Sequence, residues 1–242
     1  MDEATTRTLT PTRLADRAAA DRATRDALLD EVLVAHVGFT SSEGPLVLPI
    51  GFARDGDRLI LHGSTGSRWL RVLASGVEVC ATVTALDGIK VARSAFESGM
   101  RYRSACVFGQ CTVLVGAEAE RGLGIFTDRV LPGRTTEIRR STSRELAATL
   151  VLALPITQWS YKSSDGFPED PPEDLAGDAW AGAVPLRTAY GPALPNPDLG
   201  DGIPVPPSVR ALTDPGPSGN RPQSGPDRVG DGSNSVQAVR AG

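Results

Sequence analysis

Apolar and polar residues alternate along most of the chain up to about residue 160, and glycine-containing stops interrupt the alternation. The clearest stretch is D-R-L-I-L-H-G-S-T-G-S-R-W-L-R at 57–71. Leu59 and Leu61 alternate with Arg58, Ile60 and His62, which predicts a strand ending near His62 with at least one buried face. Gly63 and Gly66 bracket a tight turn, since glycine tolerates positive φ. Ser64, Thr65 and Ser67 are good N-cap residues, and Trp69, Leu70 and Leu73 recur at helical spacing, so a helix starts near Ser67. Upstream, Leu28, Leu29, Val32 and Leu33 share one stripe of a helix over 21–33. Strands follow at 34–40 and 46–54, and Asp55 with Gly56 forms a hairpin turn into the strand before His62.

Gly76 ends the helix, and 77–85 alternates again. Asp87 with Gly88 gives a second hairpin signal, followed by a strand at 89–96, a turn at 97–100 and a long strand at 101–116. A helix over 117–131 carries Leu123, Phe126 and Val130 as its apolar stripe. A shorter helix at 143–149, capped by Ser143, precedes a return to the sheet over 150–162, where Pro155 implies an edge or a bulge. Residues 180–186 form a last short strand. Several antiparallel strands joined by tight turns predict a mainly β fold with flanking helices, closed or nearly closed into a barrel.

Three segments emerge: a polar N-terminal arm at 1–20, one globular domain at 21–199, and a tail at 200–242 rich in Pro, Gly, Ser and Asn and without aromatic residues, which predicts disorder. With 242 residues, 40% of them hydrophobic, the chain can bury a sizeable core. The formal net charge of −4 and the absence of a basic stripe argue against a nucleic-acid partner. Cys80, Cys106 and Cys111 form no C-x-x-C pair and suggest no disulfide framework, so a reduced, cytoplasmic setting is expected. No signal peptide or membrane segment is visible.

The turn at 63–68 has the make-up of an anion site. The first N–H groups of a helix lack intrahelical partners and its dipole favours negative charge. Arg68 is the wrong charge for a bare helix start, and a bound phosphate removes that conflict. The same residues also suit an ordinary strand–turn–helix junction with a solvated arginine. His36 and His62 are the only histidines; His36, in V-A-H-V-G-F, reads as a core or interface residue, whereas His62 stands at the glycine turn. Two histidines without a nearby carboxylate or cysteine pattern do not make a zinc site. The cysteines read as small hydrophobes, and the acidic loop at 165–178 as solvated surface.

The stretches 53–71, E-V-C-A-T-V-T-A-L-D-G (78–88), A-R-S-A-F-E-S-G-M-R-Y-R-S-A-C-V-F-G (92–109) and W-A-G-A-V-P-L (180–186) resemble the FMN-binding split-barrel family related to pyridoxamine 5'-phosphate oxidase, above all its nitroimidazole-resistance-like branch. The resemblance implies a split β-barrel homodimer with FMN at the subunit interface. It implies that Ser64, Ser67 and Arg68 hold the phosphate, that Pro49, Ile50 and Gly51 run along the flavin edge, and that His62 and Gly63 lie beside the ribityl chain or ring. It further implies that Tyr102, Arg103 and Ser104 close over the flavin from the partner, and that His62 is an active-site group. The oxidase proper has lysine where this chain has Trp69, and an Arg-x-His substrate motif and Arg-Leu-x-Pro ending that this chain lacks, so vitamin B6 oxidation is not expected. A flavin-dependent oxidoreductase acting on a small organic molecule is the reading that follows. A non-catalytic flavin carrier and a haem or deazaflavin binder on the same fold are the alternatives.

Overall fold

The structure, a computed structural model, describes residues 21–213. The expected N-terminal arm and the tail beyond residue 213 lie outside the described residues. Helix α1 (Arg22–Glu31) is capped by Asp21, whose carboxylate accepts the Thr24 N–H at 2.8 Å, and it buries Leu28 and Leu29. It leads into β1 (Val34–Ser41), β2 (Gly44–Asp55), β3 (Arg58–Ser64), α2 (Arg68–Ala74), β4 (Glu78–Val91), β5 (Gly99–Gln110) and β6 (Thr112–Leu114). Then come α3 (Gly116–Val130), α4 (Ser143–Ala147), β7 (Thr149–Pro155), β8 (Gln158–Ser164), α5 (Pro172–Leu175), β9 (Gly182–Pro185) and α6 (Pro207–Thr213).

The strands pair antiparallel in the order β6-β7-β3-β2-β1-β4-β5-β8, with β9 added to β4. Neither β6 nor β8 pairs onward, so the sheet curls around its core without closing, as a split barrel. The split runs through β2: residues 44–51 pair with β1, and only Phe52 to Asp55 pair with β3. Period-two alternation fills the core from one side, with Ala35, Val37 and Phe39 of β1, Val79, Ala81 and Val83 of β4, and Leu59 and Leu61 of β3. Each such aliphatic side chain contributes about 1.5–3 kcal/mol on burial. Strands β3 and β7 are buried on both faces, because α3 covers Ile60, Val151 and Ala153 as a second small core. The outward face of β1 and the adjoining half of β2 stays open, with Val34 and Val47 43% and 65% exposed.

Several local expectations are corrected. Asp87 and Gly88 do not turn a hairpin: β4 runs straight through them with a bulge, because β5 supplies partners on both sides of the interruption. The strand expected at 101–116 breaks at Cys111 into β5 and β6, and that expected at 150–162 breaks after Pro155 into β7 and β8. Pro155 does lie at an edge, since β6 pairs only with Val151, Leu152 and Ala153. The cap of α4 is Thr142, not Ser143, in a capping box with Glu145. Within the expected tail, α6 forms, and its Ser208 hydroxyl donates to the Glu137 carboxylate at 2.6 Å.

Candidate functional site

Two parts of the chain carry the candidate residues, and the sheet order sets them three strands apart. The first is the fork where β2 leaves β3. The last rung is Phe52 opposite Leu61, so Gly51 and His62 stand where the strands part. The Phe126 ring of α3 closes over this fork. It meets the His62 ring edge-on, with centroids 4.3 Å apart at 68°, and a Cβ built on Gly51 would lie 3.0 Å from Phe126. Gly51 therefore makes room for an aromatic side chain of its own subunit. His62 Nδ1 is buried without a hydrogen-bond partner, and burial pushes the His62 pKa down, which keeps the imidazole neutral.

From the fork the chain runs into the turn. Ser64 organises it: its carbonyl accepts the Ser67 N–H at 2.9 Å and its hydroxyl accepts the Gly66 N–H at 3.1 Å. The Thr65 N–H is held by the Ala148 carbonyl at 3.0 Å, which ties the turn to the end of α4. Ser67 is the N-cap of α2, as expected, and no side chain caps the helix. Neither Gly63 nor Gly66 has positive φ. Gly63 is glycine for another reason: a Cβ there would lie 2.5 Å from Leu70 Cδ1, so its bareness lets α2 dock on β3. Arg68 is 76% exposed and pairs with the similarly exposed Glu43 at 2.8 Å, a contact that water or an anion can displace at little cost. Pro49 is exposed and Ile50 half-buried on the adjoining stretch of β2.

The second part is β5. Tyr102 and Ser104 face outward, and Tyr102 lines a cavity of about 450 Å³ together with Lys90, Phe96, Met100 and Phe167. Arg103, between them, points the other way into the subunit. Its guanidinium donates to both oxygens of Asp87 at 2.7 and 2.8 Å and to both oxygens of Glu31 at 2.7 and 2.8 Å. These paired carboxylates hold it permanently charged. Arg103 thus staples α1 to β4, where the resemblance implies a flavin contact from the partner. Within one chain the structure does not bring Tyr102 and Ser104 to the fork, because β1 and β4 lie between β2 and β5.

Between the two parts stretches the outward face of the sheet, which the sequence reading did not single out. The register aligns Pro49 with His36, His36 with Thr82, Thr82 with Cys106 and Cys106 with Ser160. His36 is exposed here and does not belong to the core. Thr82 Oγ1 lies 3.6 Å from Cys80 Sγ and 3.5 Å from Cys106 Sγ. Hydrogen bonds from Cys80, Thr82 and Ser160 bring the Cys106 thiol down to about 6, whereas burial raises Cys111 to about 11. Among the described residues no cluster of three His, Cys, Asp or Glu is placed to hold a metal ion, and no helix is long and apolar enough to cross a membrane.

The comparisons with known proteins agree with this architecture. The FAD and haem binding protein from Mycobacterium smegmatis is 51% identical, with 81% of this chain and 97% of that one covered at a TM-score of 0.80. The flavocytochrome Anf3 from Azotobacter vinelandii is 33% identical, covering 84% and 94% of the two chains at a TM-score of 0.78. A protein assigned to 5-nitroimidazole antibiotic resistance from Bacteroides thetaiotaomicron, at 24% identity, covers 60% of this chain and 85% of its own at a TM-score of 0.50 and shares the fold. No curated protein matches the chain. The family model for pyridoxamine 5'-phosphate oxidase matches residues 21–163, from α1 to the end of β8, and the chain belongs to that family.

Proposed function

We propose that the protein is a flavin- and haem-binding redox protein, with FAD as its flavin, working as a cytoplasmic homodimer on a small organic molecule. The observation that carries this reading is the 51% identity, over almost the whole of the relative, to a chain described as binding both FAD and haem. FMN, which the sequence resemblance implies, uses the same phosphate group and is a direct competitor in the test below. Bound flavin supplies hydride and single-electron transfer, and haem supplies one-electron chemistry.

The chain's own residues fit the flavin part. The Ser67 hydroxyl and the uncapped first turn of α2 offer hydrogen-bond donors for a phosphate, and Arg68 can leave Glu43 to grip it. His62, kept neutral by burial, stands next to the turn as a group that can donate or accept one hydrogen bond. The Phe126 ring packs edge-on against that imidazole. In a homodimer the partner's copy of the Tyr102 and Ser104 surface completes the site, since within one subunit β1 and β4 intervene.

The test is an absorption spectrum of the full chain as purified, then after separate addition of FAD, FMN, a deazaflavin and hemin with removal of excess. Retained FAD bands, weakened at least tenfold in Ser67→Ala/Arg68→Ala, support the reading; turnover with a nicotinamide donor separates an oxidoreductase from a carrier. A protein that retains neither FAD nor hemin refutes it, and preferential retention of FMN or deazaflavin corrects the cofactor.

A further inference from the structure

The flavin and haem reading leaves open where haem sits and what holds its iron. Imidazole and thiolate are common axial ligands of haem iron, and the chain offers two imidazoles, His36 and His62, and the Cys106 thiol with its lowered pKa. The geometry separates them. His62 is the more enclosed: its Nδ1 is buried, the Phe126 ring packs edge-on against it, and the same ring fills the space over the neighbouring Gly51. Cys106 is half-buried and already engaged by Cys80, Thr82 and Ser160.

His36 differs on each point. It is exposed on β1, in the interior of the sheet, with β2 paired on one side and β4 on the other. Its lateral neighbours are Pro49 and Thr82, and its outward neighbours along β1 are Val34 and Gly38. All are small and uncharged. Strands β2, β1 and β4 at about 4.8 Å spacing span about 10 Å between the outer two, and a macrocycle can lie flat on the face they make. Exposed Val34 and Val47 give that face an apolar margin, which water penalises and a macrocycle would cover.

Resting on the haem part of the proposed function, we infer that His36 is the axial ligand of the haem iron, and that the outward face of β1, β2 and β4 around it is the haem platform.

The experiment is titration of the full chain with hemin, followed by absorption and electron paramagnetic resonance spectra, for the natural protein and for His36→Ala, His62→Ala and Cys106→Ser. Exposure of His36 makes its truncation easy to accommodate, and a melting curve checks that the fold is kept. The expected result is that His36→Ala binds hemin at least tenfold more weakly, loses the imidazole-ligand signature, and regains it on addition of free imidazole. Retention of the natural spectrum by His36→Ala overturns the assignment, as does selective loss in His62→Ala or Cys106→Ser. If the natural chain takes up no hemin, both the assignment and the haem part of the proposed function fall. If it does, and His36→Ala behaves the same, only the assignment falls.

Discussion

Arg103→Met removes a guanidinium but keeps most of the side chain's volume, which makes it a clean test of what Arg103 is for. The substitution abolishes four charge-assisted hydrogen bonds of 2.7–2.8 Å and leaves Glu31 and Asp87 facing one another. Removing one partner of a buried ionic cluster costs about 3–5 kcal/mol, because the remaining charges lose their compensation. The Glu31 and Asp87 side chains keep 24% and 31% exposure, so water recovers part of this, leaving a loss of about 2–4 kcal/mol. At about 2–4 °C per kcal/mol for a domain of this size, a loss of about 3 kcal/mol lowers Tm by about 6–12 °C. Thermal unfolding at fixed ionic strength measures it. The triple variant Glu31→Gln/Asp87→Asn/Arg103→Met removes the uncompensated charges with the arginine and should recover more than half of the loss. A single variant within about 2 °C of the natural Tm, with weaker flavin binding, would refute the structural role and return Arg103 to the cofactor.

Gly63→Ala places a Cβ 2.5 Å from Leu70 Cδ1 and should cost about 1–3 kcal/mol in urea unfolding, with α2 shifted off β3; an unchanged midpoint would show that Leu70 simply rotates away. Iodoacetamide at pH 7 should alkylate Cys106 well before Cys111, since the first titrates near 6 and the second near 11; peptide mapping over time reads the order, and Cys80→Ser should slow Cys106. Burial lowers the His62 pKa below 6.5, so on acidification the unfolded chain takes up that proton first and stability falls as pH drops below about 6.5. His62→Gln should flatten that part of the stability profile, and identical slopes in the two proteins would exclude it.

How far the sequence reaches can be seen at single residues. Helix α1, the hairpin at Gly56, β3 and the start of α2 at Ser67 are all legible, because each depends on a short pattern and a local stop. The failures are failures of partner. Asp87 and Gly88 have the chemistry of a hairpin, yet β5 lies alongside both flanks and turns the pair into a bulge. Gly63 has the chemistry of a turn, yet it is bare because Leu70 packs on it from the next helix. Arg103 was legible in principle. In a strand, three consecutive residues cannot face one side, so Tyr102 and Ser104 share a face that Arg103 cannot. What alternation could not reveal is that the inward arginine would find Glu31 and Asp87, the first 72 residues away in sequence.

The same limit puts the outward face beyond the reach of alternation alone. Alternation marks one side of each strand as polar but does not say which polar sides are later roofed. On β3 and β7 α3 covers that side, so Ile60, Val151 and Ala153 are as buried as the core proper. On β1 and the first half of β2 no described element does so, and Val47 remains 65% exposed. A face meant for water gathers lysine, arginine and carboxylates. The outward positions around His36 instead hold Val34, Gly38, Val47, Pro49 and Thr82, and the carboxylate on that face, Glu78, stands at the far end of β4. Such a surface gains little from solvent and much from a flat apolar cover, and its one imidazole stands where that cover must touch it.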